Sequence, residues 1–461
     1  MRKAKIVCTI GPASCSENMI YRMIRSGMDV ARLNFSHGTH SEHKKVFDII
    51  RSLSGRYNVP VAILQDLKGL KIRTGHMKDG QALIKKGSIL RLTAKNTIGD
   101  EKQIQVAYPR LTRDLNAGDT VFIDDGLIQL RVMRKERAGL ITKVIEGGLL
   151  KEKKGVNFPG VRISAPTFTE NDIADLSLGI RLGVDYIAVS FVRSKADVLR
   201  IKDWLKKNSS NIPVIAKIEN RQALENIDAI IDASDGIMIA RGDLGVEVHP
   251  EEVPLIQKSI IEKCNSALKP VITATQMLES MTDHMRPSRA EATDVANAVL
   301  DGSDALMLSG ETAVGRYPVI ALKMMDRIIS YTEAHRKKQG LQDVESKTFA
   351  QAIAEAACLS ATDIKAKTIA AFTRSGFTSL LVSKFRPHIP VTGFTASEKV
   401  RRRMNLYWGT MPHVMKFPED TDEMIIETEK ALLKKRIVRK GDAVVIIATS
   451  PFSLGGKTNI M

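Results

Sequence analysis

Eight short apolar runs of β type recur through the first two thirds of the chain: Lys5–Ile10, Asp29–Phe35, Val61–Gln65, Tyr186–Val192, Val214–Ile218, Gly236–Ala240, Val271–Ala274 and Asp304–Leu308. Amphipathic, helix-like segments fill the intervals, and each run is followed by polar or glycine-rich residues. Eight strands alternating with helices predict an α/β protein built on a (β/α)8 TIM barrel.

The alternation breaks between about Gly69 and Ala165. There Ile89–Leu92, Thr120–Ile123, Ile128–Val132 and Leu140–Ile145 are separated by turn signals such as Asp125-Gly126, which read as hairpins. An all-β insertion after the third barrel strand, a small β-barrel lid, would stand over the C-terminal rim where barrel enzymes keep their active sites. A polar stretch from about Ala334 to Lys347 reads as a connection. Beyond it Thr368–Phe372, Val391–Phe394 and Ala443–Ala448 alternate with helical segments such as Thr421–Lys435, predicting a smaller doubly wound α/β domain. The expected division is barrel 1–69 and 166–340, lid 70–165 and C-terminal domain 341–461. No low-complexity segment or short-period repeat interrupts it.

Length agrees with this division, since 461 residues exceed what one core accommodates. No run reaches the roughly 18 apolar residues of a membrane span, so no membrane role is expected. The first residues enter a strand without a leader pattern, and the four cysteines lack paired spacing; both predict a cytoplasmic protein. The net charge of +17 admits either nucleic acid or small polyanions. Dispersed basic residues and only 5% aromatics favour phosphorylated metabolites over a nucleic-acid partner.

Polar residues at the C-terminal ends of barrel strands are the candidates for chemistry. The second strand ends Arg32-Leu33-Asn34-Phe35-Ser36-His37-Gly38, and period two places Arg32, Asn34 and Ser36 on one side, a planar cation beside neutral oxygens. The blander reading is a surface or capping arrangement. The fifth ends Lys217-Ile218-Glu219-Asn220, either a site or a buried structural ion pair. The sixth ends Arg241-Gly242-Asp243, and Glu219 with Asp243 make a hard oxygen pair suited to Mg2+. Gly242 permits close backbone approach. Thr275 ends the seventh strand, where a lone threonine more often bonds nearby backbone. At the eighth, Ser309-Gly310-Glu311 reads as a structural N-cap.

Taken in order, Arg32–Gly38, Gly155–Gly160, Lys217–Asn220, Arg241–Gly245, Thr273–Leu278, Arg286–Gly302 and Ser309–Gly315 resemble the pyruvate kinase family over essentially the whole chain. The resemblance implies phosphoryl transfer from phosphoenolpyruvate to ADP, giving pyruvate and ATP in glycolysis. It assigns Arg32 and Lys217 to the phosphoryl group, Glu219 and Asp243 to Mg2+ (or Mn2+), and Gly242 and Thr275 to the rest of the substrate pocket. It also assigns Asn34, His37, Arg73 and Lys154 to the nucleotide, with Arg73 counted among the catalytic set and Lys154 reaching its ligand only under a closed lid. A homotetramer is implied as well.

One departure concerns potassium. Many members carry Asp-Thr-Lys-Gly-Pro-Glu-Ile-Arg where this chain has Asp66-Leu67-Lys68-Gly69-Leu70-Lys71-Ile72-Arg73. Lys for Glu changes the local charge by two units, so Lys71 is expected to replace K+ beside Asn34, Ser36, Asp66 and Leu67. In the bland alternative Lys71 is a solvated hinge residue and potassium still binds. The loop Thr373-Arg374-Ser375-Gly376-Phe377-Thr378 is suited to a phosphorylated allosteric effector at a helix N-terminus, although relatives usually have a basic residue where Phe377 stands. Two rival readings remain at this stage: another magnesium-dependent phosphoenolpyruvate or oxo-acid barrel enzyme, and a polyanion-binding protein.

Overall fold

Near-continuous apolar runs are what parallel strands buried on both faces require, and all eight predicted runs form strands. They close into one parallel barrel, with Lys5–Ile10 hydrogen-bonded both to Val30–Asn34 and to Ala305–Leu308. The structure, a computed structural model, describes residues 2–335, 348–417, 420–449 and 458–461. Most of the predicted connection Ala334–Lys347 therefore lies outside the described residues. No helix among the described residues is long and apolar enough to cross a membrane.

Some strand ends differ from expectation. The fourth strand stops at Val189, short of Val192, because Phe191 adopts a left-handed conformation with φ 56°. The second stops at Asn34, and the chain turns at Phe35 and Ser36. The alternation predicted to place Ser36 beside Arg32 and Asn34 thus ends before reaching it.

Alternate residues of each strand enter different apolar clusters. Val7, Leu64, Ala188, Ile215, Ile272 and Met307 fill the barrel interior, while neighbours such as Ile6, Ile63, Val189 and Leu308 pack against the surrounding helices. Two residues further toward the C-terminal ends the inward set turns polar, with Thr9, Ser190, Lys217 and Asp66. At the opposite end Met404, Leu406 and Tyr407 join the interior cluster. The Tyr186 hydroxyl donates to Arg403 O at 2.8 Å and Lys5 Nζ to Thr410 O at 2.7 Å, so the C-terminal part of the chain fills the barrel floor.

Just before each even-numbered strand stands an aspartate: Asp29, Asp185, Asp235 and Asp304. Each carboxylate accepts the backbone N–H at the start of the preceding strand, from Ile6, Ile63, Val214 and Val271 respectively, at 2.8 Å in every case. These donors would otherwise be unpaired strand ends. Each acid also meets a cation: Arg2, Arg51 with Arg402, Lys202, and Lys384 with Arg386. Arg402, Lys384 and Arg386 come from the C-terminal part of the chain.

The inserted segment forms a six-stranded sheet and a two-stranded ribbon, Gln81–Ile84 with Gly148–Lys151. Asp124, Asp125 and Gly126, all at positive φ, make the expected hairpin between Thr120–Ile123 and Ile128–Glu136. Bridges from Arg73 to Gly155 and from Thr74 to Val106 join the two edges of the larger sheet and close it around its own core. The segment is not purely β, because a short helix, Leu111–Asp114, sits on it.

Four parallel strands, in the order Thr410–Val414, Val391–Thr395, Thr368–Phe372, Val444–Ile447, make the last sheet. Ile369 and Ala371 face the helices Phe349–Asp363 and Phe377–Lys384, whereas Ala370 and Phe372 face Thr421–Lys434, the doubly wound arrangement expected.

Lys384 and Asp304 are both fully buried, with Nζ 2.5 Å from the carboxylate and Arg386 Nη1 3.0 Å from its other oxygen. Removing the shared anion strands two buried cations. Asp304→Asn is expected to lower stability by roughly 3 kcal/mol, read as a reduced urea midpoint; an unchanged midpoint would show the cluster to be dispensable.

Candidate active site

The polar layer at the barrel mouth is organised by one carboxylate. Asp66, at the end of the third strand, takes Arg32 Nε on Oδ2 at 2.7 Å and faces Lys217 Nζ with Oδ1 at 3.3 Å. Burial alone would raise its pKa, but Lys217 and Arg32 outweigh that and hold the carboxyl below its ordinary value. Arg32 Nη1 also donates to Thr9 Oγ1 at 2.9 Å. The Lys217 ammonium completes its set with Ser190 Oγ and Glu219 Oε1, each at 2.8 Å. Burial opposes its charge, yet Asp66 and Glu219 reverse the effect and raise its pKa, so it stays protonated.

Glu219 receives the Phe191 N–H on Oε2 at 2.6 Å, which is what the left-handed Phe191 achieves. A bulky residue there carries strain of roughly 1–3 kcal/mol. Burial pushes the Glu219 carboxyl up, Lys217 opposes this, and the negative charge of Asp243 pushes it further. Asp243 itself has no hydrogen-bond or ion-pair partner among the described residues. Two hard carboxylates that repel one another, one of them unengaged, fit a divalent cation. No group of three or more His, Cys, Asp or Glu among the described residues could hold a metal, so any ion at this pair would need water or substrate to complete its shell.

Thr275 and Gln276 follow the seventh strand with φ 67° and 54°, two consecutive non-glycine residues in the left-handed region. Thr275 Oγ1 accepts the Gly242 N–H at 2.8 Å and donates to Ala274 O at 2.6 Å. A Cβ on Gly242 would come no closer than 3.4 Å to Thr275 Oγ1, an ordinary contact, so the protein itself does not demand glycine there.

The side chains of the other sequence candidates share no hydrogen bond or ion pair with this cluster among the described residues. Asn34 Oδ1 accepts the Ser36 N–H at 3.2 Å, and Leu67 is buried in the outer barrel core. Lys71 is exposed, and its side chain has no hydrogen-bond or ion-pair partner among the described residues. Burial lowers the His37 pKa, and the charges of Arg73, Lys71, Lys68 and Arg32 lower it further, so these cations converge around His37. Arg73 Nη1 donates to Lys153 O at 2.9 Å, and Lys154 Nζ pairs with Asp124 Oδ1 at 2.9 Å on the inserted sheet. The expected N-cap at Ser309 is not made: its hydroxyl has no partner among the described residues, and Glu311 instead accepts the N–H groups of Ser309 at 2.7 Å and Leu278 at 3.0 Å. The structural role expected of Glu311 holds by that route. In the C-terminal loop the Gly376 N–H already bonds Thr373 Oγ1 at 2.9 Å, Thr378 Oγ1 meets Thr458 at 2.9 Å, and Arg374 lies over Phe417; Ser375 is exposed.

Sequence reasoning passed over Thr9, Ser190 and the Phe191 N–H. The strand-end rule that singled out Lys217 applies equally to Thr9 and Ser190; the backbone donor leaves no sequence signal.

A cleft separates the inserted sheet from the barrel mouth. Lys71, Asn157 and Arg162 line one side, and Glu219, Asp243 and Glu247 the other.

An arginine, a lysine and three carboxylates gathered from four strand ends, under a second domain, define a barrel enzyme that handles phosphoryl groups. Residues 1–322 match the family model for the pyruvate kinase barrel domain, and 351–461 that for the pyruvate kinase alpha/beta domain. The chain belongs to the pyruvate kinase family, the phosphotransferases that carry the phosphoryl group of phosphoenolpyruvate to ADP. It is 47% identical to the pyruvate kinases of Sporosarcina psychrophila and Geobacillus stearothermophilus, across 100% of this chain and 80% of each relative. A crystal structure of a pyruvate kinase from Cryptosporidium parvum superposes with a TM-score of 0.93 at 37% identity, covering 100% of this chain and 95% of that one. These matches take in the C-terminal domain and the inserted segment, which the rival oxo-acid enzyme and polyanion-binding readings do not require.

Glu247 lines the cleft together with Asn157 of the inserted sheet. Burial pushes its carboxyl up to about 7, with Asp243 adding to the rise and Asn157 and Arg221 opposing it. The folded protein thus keeps a proton that the unfolded chain releases near pH 4.5, so this group's stabilising contribution is complete below about pH 4.5 and lost as pH rises to about 7. In chelator, Glu247→Gln should flatten that part of the thermal-midpoint profile. Parallel profiles for the two proteins would refute the assignment.

Proposed function

We propose that the mouth cluster performs both halves of the family reaction. Arg32 and Lys217 bind the phosphoryl group of phosphoenolpyruvate, and Glu219 with Asp243 hold Mg2+, or Mn2+ in its place. The observation that carries this reading is the protonated Lys217 ammonium within 2.8 Å of Glu219 and 3.3 Å of Asp66. The metal, when bound, supplies Lewis-acid neutralisation of phosphoryl charge. Phosphoryl transfer asks a protein chiefly for positioning and charge. Asp66 fixes the two cations, and Glu219 is free to exchange Lys217 for a ligand as substrate enters. Gly242 and Thr275 line the remainder of the substrate site, and the enolate is protonated on the Thr275 side through a hydroxyl or water relay.

Asn34, His37, Arg73 and Lys154 form the nucleotide side. Lys154, held by Asp124 on the inserted sheet, engages the nucleotide when that sheet closes. The functional division is barrel 1–69 and 166–340, lid 70–165 and effector domain 341–461, with Thr373, Arg374, Ser375, Gly376 and Thr378 receiving a phosphorylated effector. The assembly is a cytoplasmic homotetramer.

Lys71 supplies the monovalent charge. Its position among the cations around His37 supports an ammonium beside the nucleotide, whereas its exposure is equally what the solvated-hinge alternative expects.

Two measurements test this reading. Lys217→Met should retain its fold and lose at least about a thousandfold in kcat; near-normal turnover would refute the role. In buffer free of potassium and sodium the enzyme should be fully active and gain less than about twofold from potassium, whereas Lys71→Glu should become potassium-dependent. Strong activation of the unmodified enzyme would return potassium to Asn34, Ser36 and Asp66.

A further inference from the structure

The turn at Thr275 and Gln276 is held in its left-handed conformation from below by one buried side chain. Arg241 opens the short helix Arg241–Glu247 directly after the sixth barrel strand. Its guanidinium gives Nε and Nη2 to Thr275 O at 3.2 and 2.7 Å, and Nη2 also to Gln276 O at 3.1 Å and Met277 Sδ at 2.8 Å. The remaining donor group, Nη1, is anchored by Asp294 Oδ1 at 2.8 Å and Gln257 Oε1 at 3.2 Å, from two different helices.

Two carbonyls of a strained turn therefore converge on one planar fork, an arrangement that the single ammonium of lysine cannot reproduce. The next residue along, Gly242, sends its N–H to Thr275 Oγ1. Loops six and seven are consequently joined twice, at the carbonyl and at the hydroxyl of the same threonine. The first joint belongs to Arg241, and the second lies one residue from Asp243.

The geometry points to Arg241 as a positioning residue: it touches no reacting atom, and it fixes the Thr275 hydroxyl relative to the carboxylate of Asp243. This rests on the proposed place of Thr275 in the substrate site. Because Arg32, Lys217 and Glu219 lie on other strands and share no hydrogen bond with Arg241, loss of the fork displaces the threonine while leaving phosphoryl binding in place. The effect falls on kcat more than on KM for phosphoenolpyruvate.

The test is a double-mutant cycle of Arg241→Lys and Thr275→Ala, with kcat, KM and thermal midpoint measured for each protein. Arg241→Lys is expected to lower kcat about 10- to 100-fold, with KM changed less than about threefold. On the Thr275→Ala background the same change should cost no more than about a further threefold, since its target is gone. Full activity of Thr275→Ala would sink the site reading and this inference together. An impaired Thr275→Ala combined with an unimpaired Arg241→Lys, or with losses that multiply in the double variant, would overturn only the role of Arg241. If Arg241→Lys does not fold, Asp294→Asn loosens the fork while keeping the cation. It should give a smaller kcat loss that disappears on the Thr275→Ala background, and persistence there would equally overturn the role.

Discussion

The active-site end of the barrel depends on the shared carboxylate of Asp66. Two cations that would repel one another at the mouth, Arg32 and Lys217, are tolerable inside a buried layer because both lean on the same anion. Glu219 supplies the second half of the compensation and Asp243 tips the balance to the acidic side, so two cations face three carboxylates. A cluster of this kind gains little stability from its ion pairs, because desolvation offsets most of the attraction. Its value lies in fixed geometry, with charges held in place before any ligand arrives, which is the form of catalysis that phosphoryl transfer rewards.

The barrel was legible because its strands are apolar on both faces and the polar residues collect where they end. That rule singled out Arg32, Lys217, Glu219, Asp243 and Thr275, all of which the structure places at strand ends around the mouth. It placed Ser36 wrongly because period two holds only while the chain remains extended, and a turn at Phe35 is a local event that polarity does not report. It overlooked the Phe191 N–H and the Arg241 fork for a related reason. A backbone donor has no letter in the sequence, and a buried arginine reads as surface charge until its partners are known.

The acids at the feet of the even strands were visible as letters, in Met28-Asp29, Val184-Asp185, Ser234-Asp235 and Ser303-Asp304, but not as a pattern. Their sequence separations are irregular because helices and a whole inserted domain intervene, so a search for fixed periods passes over them. Only the barrel's alternation of odd and even strands brings them into register. Asp185 and Asp304 then serve twice, closing a strand end and receiving cations from the C-terminal domain.

Met404, Leu406 and Tyr407 continue downward the packing of a barrel whose interior is already filled by Val7, Leu64, Ala188, Ile215, Ile272 and Met307. The charged layer at the mouth therefore rests on a solid apolar column that reaches into the C-terminal part of the chain, and its open side is the cleft toward the inserted sheet. A foundation of this kind lets the charges keep their spacing while the cover above them changes.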